Sequence, residues 1–253
     1  MIQERLKALR AEMEKRGITV YVVPTADFHE SEYVGDHFKA RKFITGFTGS
    51  AGTAVITLDE AGLWTDGRYF VQAENQLKDS TVTLYRMGEE GVPTVDEFVK
   101  DRLKEGGCLG FDGRVVNGTW GGKLEKIAAE KNVSMHVTED LIDLIWEDRP
   151  ALSKQPLFIL EEKYSGKSTA DKIADLRKAM KENGADVHIL TSLYDIAWLL
   201  NIRGNDIDYV PVVLSYLVLN ETECIWFLQE EVVDDKIRAY LEENHITTKP
   251  YDA

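Results

Sequence analysis

Leu6, Leu9 and Met13 recur at helical spacing with charged residues between them, and Gly17 follows where a C-cap belongs. The chain therefore opens on an amphipathic helix. The apolar run Val20-Tyr21-Val22-Val23, closed by Pro24, predicts a buried strand. The same order returns much later. Ile173, Leu176 and Met180 share a helical face, Gly184 ends the helix, and Val187-His188-Ile189-Leu190 is the second strand, with His188 expected as a hydrogen-bonded core residue. The two stretches align without a gap at an offset of 167, and Leu9, Arg10, Met13, Gly17 and Val20 are identical to Leu176, Arg177, Met180, Gly184 and Val187. Solenoid units repeat every 20–50 residues, so this longer period predicts two copies of one α/β domain.

The parallel continues more loosely. Residues 43–49 (Phe-Ile-Thr-Gly-Phe-Thr-Gly) resemble 198–204 (Trp-Leu-Leu-Asn-Ile-Arg-Gly), and each is followed by two strand-like runs joined by an acidic turn. Those runs are 53–58 and 62–65 in the first copy, 212–219 and 223–228 in the second. Helices over 68–77, 95–104 and 121–131, with strands near 82–87, 108–111 and 134–137, fill out the first copy. The second adds a helix over 230–243. Between the copies, residues 148–156 carry two prolines and no periodicity, a stiff linker. Domains over 1–155 and 156–253 follow, and the latter is expected to be truncated. A mixed sheet with helices on both faces needs more strands than that stretch offers.

The chain has 253 residues, of which 43% are hydrophobic and 29% charged, an ordinary globular mix. Its 30 basic and 44 acidic side chains leave a net charge of −14. Lysines and arginines sit among acids, as in 102–104 and 167–177, and form no basic patch. Nucleic acid and anionic membrane are therefore excluded as expected partners. The longest apolar stretch, 210–219, is far short of the roughly 20 residues of a spanning helix. The N-terminus has no apolar signal core. Cys108 and Cys224 lie inside apolar runs without paired spacing, so they read as buried thiols in a reducing, cytoplasmic setting.

The search for reaction chemistry excludes more than it finds. No pair among His29, His37, His136, His188 and His245 has the spacing of a His-Glu-x-x-His zinc site, and His136 and His245 read as surface or strand-edge positions. Asp206 and Asp208 would suit a hard cation, yet they precede Pro211 in a stretch of turn residues. The glycines at 46, 49 and 52 lead into a β pattern, where a dinucleotide fingerprint needs a helix N-terminus. They read as a tight turn into a strand. Ser50 lacks the context of a nucleophile elbow, and neither cysteine has a cationic neighbour.

One segment stands apart, Trp64-Thr65-Asp66-Gly67-Arg68-Tyr69-Phe70. An apolar strand ends there, Asp66-Gly67 turns, and Arg68 enters the first turn of a helix. A cation there opposes the helix dipole at a cost of roughly 0.3–1 kcal/mol unless it has a partner. Asp66 or Glu74 is one choice of partner. A substrate carbonyl or carboxylate, suited to a planar bidentate donor, is the other.

That segment, together with His29-Glu30-Ser31-Glu32-Tyr33, residues 43–54, 145–150 and 196–204, resembles the cytosolic Xaa-Pro aminopeptidases (aminopeptidase P) over nearly the whole chain. The resemblance implies two related creatinase/prolidase N-terminal-type domains, each a mixed β-sheet flanked by helices in a ribonuclease H-like α/β fold. It also implies that the catalytic pita-bread domain is absent. The family removes an N-terminal residue preceding proline with a dinuclear metal site, usually manganese, whose ligands belong to that absent domain. No metal ligand or catalytic residue therefore carries over, and this chain alone is expected to be inactive. The position that does carry over is Arg68, matching a substrate-contacting arginine for peptides with proline second. A role in shaping substrate access, homodimer contacts and a cytoplasmic location are further implications. The rival expectations are a stand-alone, non-catalytic binding or scaffolding module of this fold and a creatinase or prolidase relative.

Overall fold

In the computed structural model, which describes all 253 residues, helix α1 (Ile2–Lys15) buries Leu6, Leu9 and Met13 and ends two residues before Gly17. Gly17 has φ +67°, a conformation that glycine adopts without the Cβ penalty. Strand β1 (Val20–Pro24) is buried along its whole length. The first unit continues with α2 (Ala40–Thr45), β2 (Thr53–Thr57), β3 (Ala61–Thr65), α3 (Phe70–Leu77) and β4 (Thr83–Arg86). It is completed by α4 (Val95–Arg102), β5 (Cys108–Gly110), α5 (Gly118–Glu130) and β6 (Ser134–His136). Two compact units result, one of residues 1–30 and 37–150, the other of 31–36 and 151–253.

The first unit holds a six-stranded sheet of order β4-β3-β2-β1-β5-β6, in which β2 alone runs antiparallel to its neighbours. Both faces are covered. Leu6, Leu9, Tyr21, Ala54, Ile56 and Leu63 pack on one side. Val20, Val22, Val55 and Trp64 pack on the other against Phe98 and Val99 of α4 and Leu124 of α5. Helix α4 starts with a reciprocal capping box between Thr94 and Glu97. Helix α5 starts at Gly118 instead of the expected 121, because the Asn117 side chain accepts from the Trp120 amide and supplies the N-cap.

The second unit contains β7 (Phe158–Ile159), α6 (Glu162–Ser165), α7 (Thr169–Glu182), β8 (Val187–Leu190) and α8 (Leu193–Leu200). Then come β9 (Ile202–Arg203), β10 (Ser215–Asn220), β11 (Cys224–Leu228), α9 (Asp235–Glu243) and β12 (Thr247–Pro250). Its main sheet has four strands in the order β12-β11-β10-β8. The directions repeat those of β4-β3-β2-β1, including the parallel outer pair.

The duplication extends to single hydrogen bonds. Arg10 Nε donates to the Thr57 carbonyl at 2.9 Å, and Arg177 Nε to the Asn220 carbonyl at 2.9 Å. Thr57 pairs with Val20, and Asn220 with Val187, and Val20 and Val187 stand at the offset of 167 read from the sequence. Arg5 reaches the Phe43 carbonyl at 2.8 Å and lies over the Phe43 ring at 4.0 Å. Lys172 reaches the Trp198 carbonyl at 2.7 Å and lies over that ring at 4.6 Å. In both copies a cation from the 14-residue helix (α1 or α7) serves a last-turn carbonyl of a short helix, where the dipole is negative. That short helix ends on a left-handed residue, Gly46 (φ +79°) or Asn201 (φ +50°).

Three expectations fail. His188 is exposed, not a core residue, because β8 is the outermost strand, so that although His188 lies opposite the buried Leu219 no further strand covers its outer side. The expected helix over 230–243 is two elements, since Asp234 leaves the helical conformation to cap α9, accepting from the Ile237 amide at 2.8 Å. A short 3-10 turn, Glu230–Val232, precedes it. The strand expected from 212 begins only at Ser215, because Leu214 N donates instead to the Asp206 carboxylate.

Candidate functional site

Arg68 lies where β3 gives way to α3. The strand ends at Thr65, whose hydroxyl donates to the Ala51 carbonyl at 2.7 Å and ties the strand end to the glycine-containing loop of residues 46–52. Asp66 accepts from the Arg68 amide at 3.1 Å, an Asx turn that reverses the chain. The same carboxylate grips one edge of the guanidinium, which donates from Nε to Oδ1 at 2.8 Å and from Nη2 to Oδ2 at 2.9 Å. Asp66, not Glu74, is therefore the local partner, and Glu74 pairs with Arg86. Arg68 also stands before Tyr69, the N-cap of α3, and not in the first turn as expected. The dipole penalty is correspondingly weaker.

The fork-to-fork geometry fixes the plane of a side chain that is 68% exposed. The ion pair holds the Asp66 carboxyl down to about 2. An exposed pair of this kind adds little stability, so its consequence is orientation. The Arg68 guanidinium also stacks near the Tyr69 ring, at 5.2 Å, and the Tyr69 hydroxyl hydrogen-bonds Ser50 at 2.7 Å.

The adjacent loop is held by a residue that sequence reasoning missed. Arg41, buried in α2, donates to the Thr25 hydroxyl at 2.9 Å, to the Phe47 carbonyl at 2.6 Å and to the Gly49 carbonyl. It also lies 4.7 Å from the Phe47 ring centroid. Burial without a carboxylate partner lowers its pKa to about 10. Lys39, Arg41 and Lys42 look alike as surface cations in the sequence, and nothing there marks the middle one as buried. Gln76 clamps the loop from α3, accepting from the Thr48 amide and donating to its hydroxyl, both at 2.8 Å. The glycines are packing residues. A Cβ at Gly49 would sit 2.3 Å from the Phe47 ring, and one at Gly52 2.9 Å from the Trp64 carbonyl.

The remaining candidates have structural work. Both oxygens of Asp206 accept backbone amides, from Gln155 at 3.2 Å and Leu214 at 2.8 Å. His136 lies on the edge strand β6 beside Glu139. Cys108 and Cys224 are buried free thiols, and burial pushes the Cys224 thiol up to about 11. No three His, Cys, Asp or Glu side chains converge in a group that could hold a metal, so the residues of this chain do not fit a metal pair. No helix is long and apolar enough to cross a membrane.

The fold and site thus define a duplicated α/β module that presents an oriented guanidinium on its surface. The creatinase/prolidase N-terminal domain family matches residues 5–145 and again residues 148–253. The chain belongs to that family and carries two copies of its domain. It is 43% identical, over 98% of its length, to a probable Xaa-Pro aminopeptidase P of Sordaria macrospora and spans 41% of that protein. It is 39% identical to aminopeptidase P1 of Lotus japonicus, with all of this chain and 38% of that one covered. Among solved structures, the X-prolyl aminopeptidase of Caenorhabditis elegans, a cytosolic enzyme with a di-nuclear active site, matches with a TM-score of 0.94 at 34% identity. That match covers the whole of this chain and 43% of the worm enzyme. The chain therefore spans about two fifths of the length of its relatives.

Proposed function

We propose that this chain is the non-catalytic N-terminal part of a metal-dependent Xaa-Pro aminopeptidase, shaping substrate access to a catalytic domain that lies elsewhere in the whole protein. The whole enzyme would remove the N-terminal residue preceding proline, work in the cytoplasm with a manganese pair, and assemble as a homodimer. Similarity over essentially the full chain to proteins named for that activity supports this. The chemistry within this chain belongs to Arg68. Asp66 holds its plane, so the guanidinium meets a substrate carbonyl or carboxylate without first losing side-chain freedom. The oriented clamp is the observation that carries this assignment.

In the whole enzyme, Arg68→Ala is expected to lower kcat/KM on Xaa-Pro peptides about 10- to 100-fold, the loss of one charge-assisted hydrogen bond. Metal content should stay the same. Steady-state kinetics beside metal analysis checks both, and an unchanged kcat/KM removes Arg68 from the substrate site. The 253-residue chain by itself should release no N-terminal residue with or without added manganese, and turnover would refute the non-catalytic reading.

A further inference from the structure

Arg41 is a buried guanidinium whose acceptors are the oxygens of one hydroxyl and two carbonyls. Burying a cation is costly, so a planar fork of donors is retained in such a place where it holds acceptors that a neutral side chain could not. Here it holds the loop of residues 46–52 at both ends. Two of its nitrogens take the Phe47 and Gly49 carbonyls near the start. Nε donates to the Thr25 hydroxyl, which itself donates to the Gly52 carbonyl at 2.7 Å. The Thr25 amide donates to the same carbonyl at 3.0 Å. The loop contains three glycines and no helix or strand, so its path is set by bonds of this kind.

The far side of the loop carries the Arg68 turn. The Thr65 hydroxyl on the Ala51 carbonyl and the Ser50–Tyr69 hydroxyl pair, both at 2.7 Å, join the loop to the chain on either side of Arg68. The Tyr69 ring lies so close to Gly49 that a Cβ there would come within 2.8 Å of it. The rings continue the connection. The Arg41 guanidinium lies 4.7 Å from the Phe47 centroid, Phe47 meets Tyr69 edge-on at 6.0 Å, and the Arg68 guanidinium lies 5.2 Å from the Tyr69 centroid. The Asp66–Arg68 ion pair lies wholly within the turn, so it orients the guanidinium and leaves the placement of the turn to its neighbours.

We propose that Arg41 is a positioning residue for the aminopeptidase reaction: by fixing the loop of residues 46–52 it places the turn that presents Arg68 to the substrate. This inference deepens the reading of Arg68 as a substrate contact and rests on it. Shape, and not charge alone, is then required at position 41, because a lysine ammonium is a point charge that cannot span three acceptors as a planar fork does.

The test is a double-mutant cycle in the whole enzyme with Arg41→Lys and Arg68→Ala, scored on Xaa-Pro peptides and, separately, by hydrogen exchange. Arg41→Lys should lower kcat/KM about 10-fold and divide the loss between KM and kcat in the same proportion as Arg68→Ala. Added to Arg68→Ala it should lower kcat/KM by less than about 2-fold more, since the group it places is already gone. Residues 46–52 and 66–70 should exchange about 10-fold faster in Arg41→Lys, with β1 and β5 unchanged. Thr25→Val removes the hydroxyl between Arg41 and Gly52 and keeps the side chain's shape. It should give the same pattern more weakly, and it decides the matter where Arg41→Lys does not fold. Losses that multiply in the double variant overturn the proposal, and so does an unchanged kcat/KM in Arg41→Lys. Faster exchange spread evenly over the whole sheet overturns it in favour of a general structural role. A fully active Arg68→Ala enzyme overturns it together with the contact it rests on. A whole protein that cleaves no Xaa-Pro peptide overturns the activity assignment, and the exchange pattern then decides alone. Loosening confined to 46–52 and 66–70 supports placement of Arg68 by Arg41, and a turn at 66–70 that keeps its protection overturns it.

Discussion

Asp66 and Arg41 show how differently two residues act around one loop. Asp66 accepts three bonds from the backbone and side chain of Arg68, and the guanidinium lowers its pKa from the ordinary 3.8 to about 2. A depressed carboxylate pKa means that the contact is fully present above pH 3.8 and is lost as pH falls through about 2. An NMR titration should place the Asp66 carboxyl midpoint near 2, rising toward the ordinary value in about 1 M salt, which screens exposed pairs. A midpoint near 3.8 at low salt would show that the clamp does not hold in solution. Asp66 is therefore not the group that limits activity at mildly acid pH. Arg41 has the opposite character, a buried cation satisfied by carbonyls and a hydroxyl, and its bonds set the path of the loop to which Arg68's strand is tied.

Elements that repeat permit a matched comparison. Lys172 is buried and bonds the Trp198 carbonyl at 2.7 Å and the Asn201 side chain at 2.6 Å, whereas Arg5 is only half-buried and bonds one carbonyl. Lys172→Met should cost the second unit about 2–3 kcal/mol, because two acceptors lose their donor in a dry site. Arg5→Met should cost the first unit about 1 kcal/mol. Urea unfolding of both variants checks this, and equal costs would show that burial does not set the value of the contact. The same pairs explain what the sequence could reveal. α1 and α7 were legible because 14 residues are long enough for the 3.6-residue period to show. Their shared α2 and α8 were visible as similar text but not as helices, since six and eight mostly apolar residues carry no period. β12, Thr-Thr-Lys-Pro, is a polar outer strand with no alternation to read. His188 misled because a short apolar run reads the same in a central strand as in an outermost one. At the site, the Asp-Gly-Arg turn was visible as a charge placed against a dipole, while Arg41 was hidden among surface-like cations.

At the scale of the whole molecule, the uneven covering of two sheets with one topology has an energetic consequence. Burial of apolar area contributes about 25 cal/mol per Å², so a sheet packed on both faces gains where a sheet packed on one does not. The first unit has two apolar layers, the second one. The units divide between residues 150 and 151, inside the irregular stretch of residues 149–157. The units should then open as separate cooperative blocks, the second at the lower free energy. Native-state hydrogen exchange resolves this directly. Amides of β10 and β11 should share one opening free energy, and those of β1 and β2 a higher one. A single value for all four strands, or a lower one for β1 and β2, would mean that face coverage does not govern the stability of this fold.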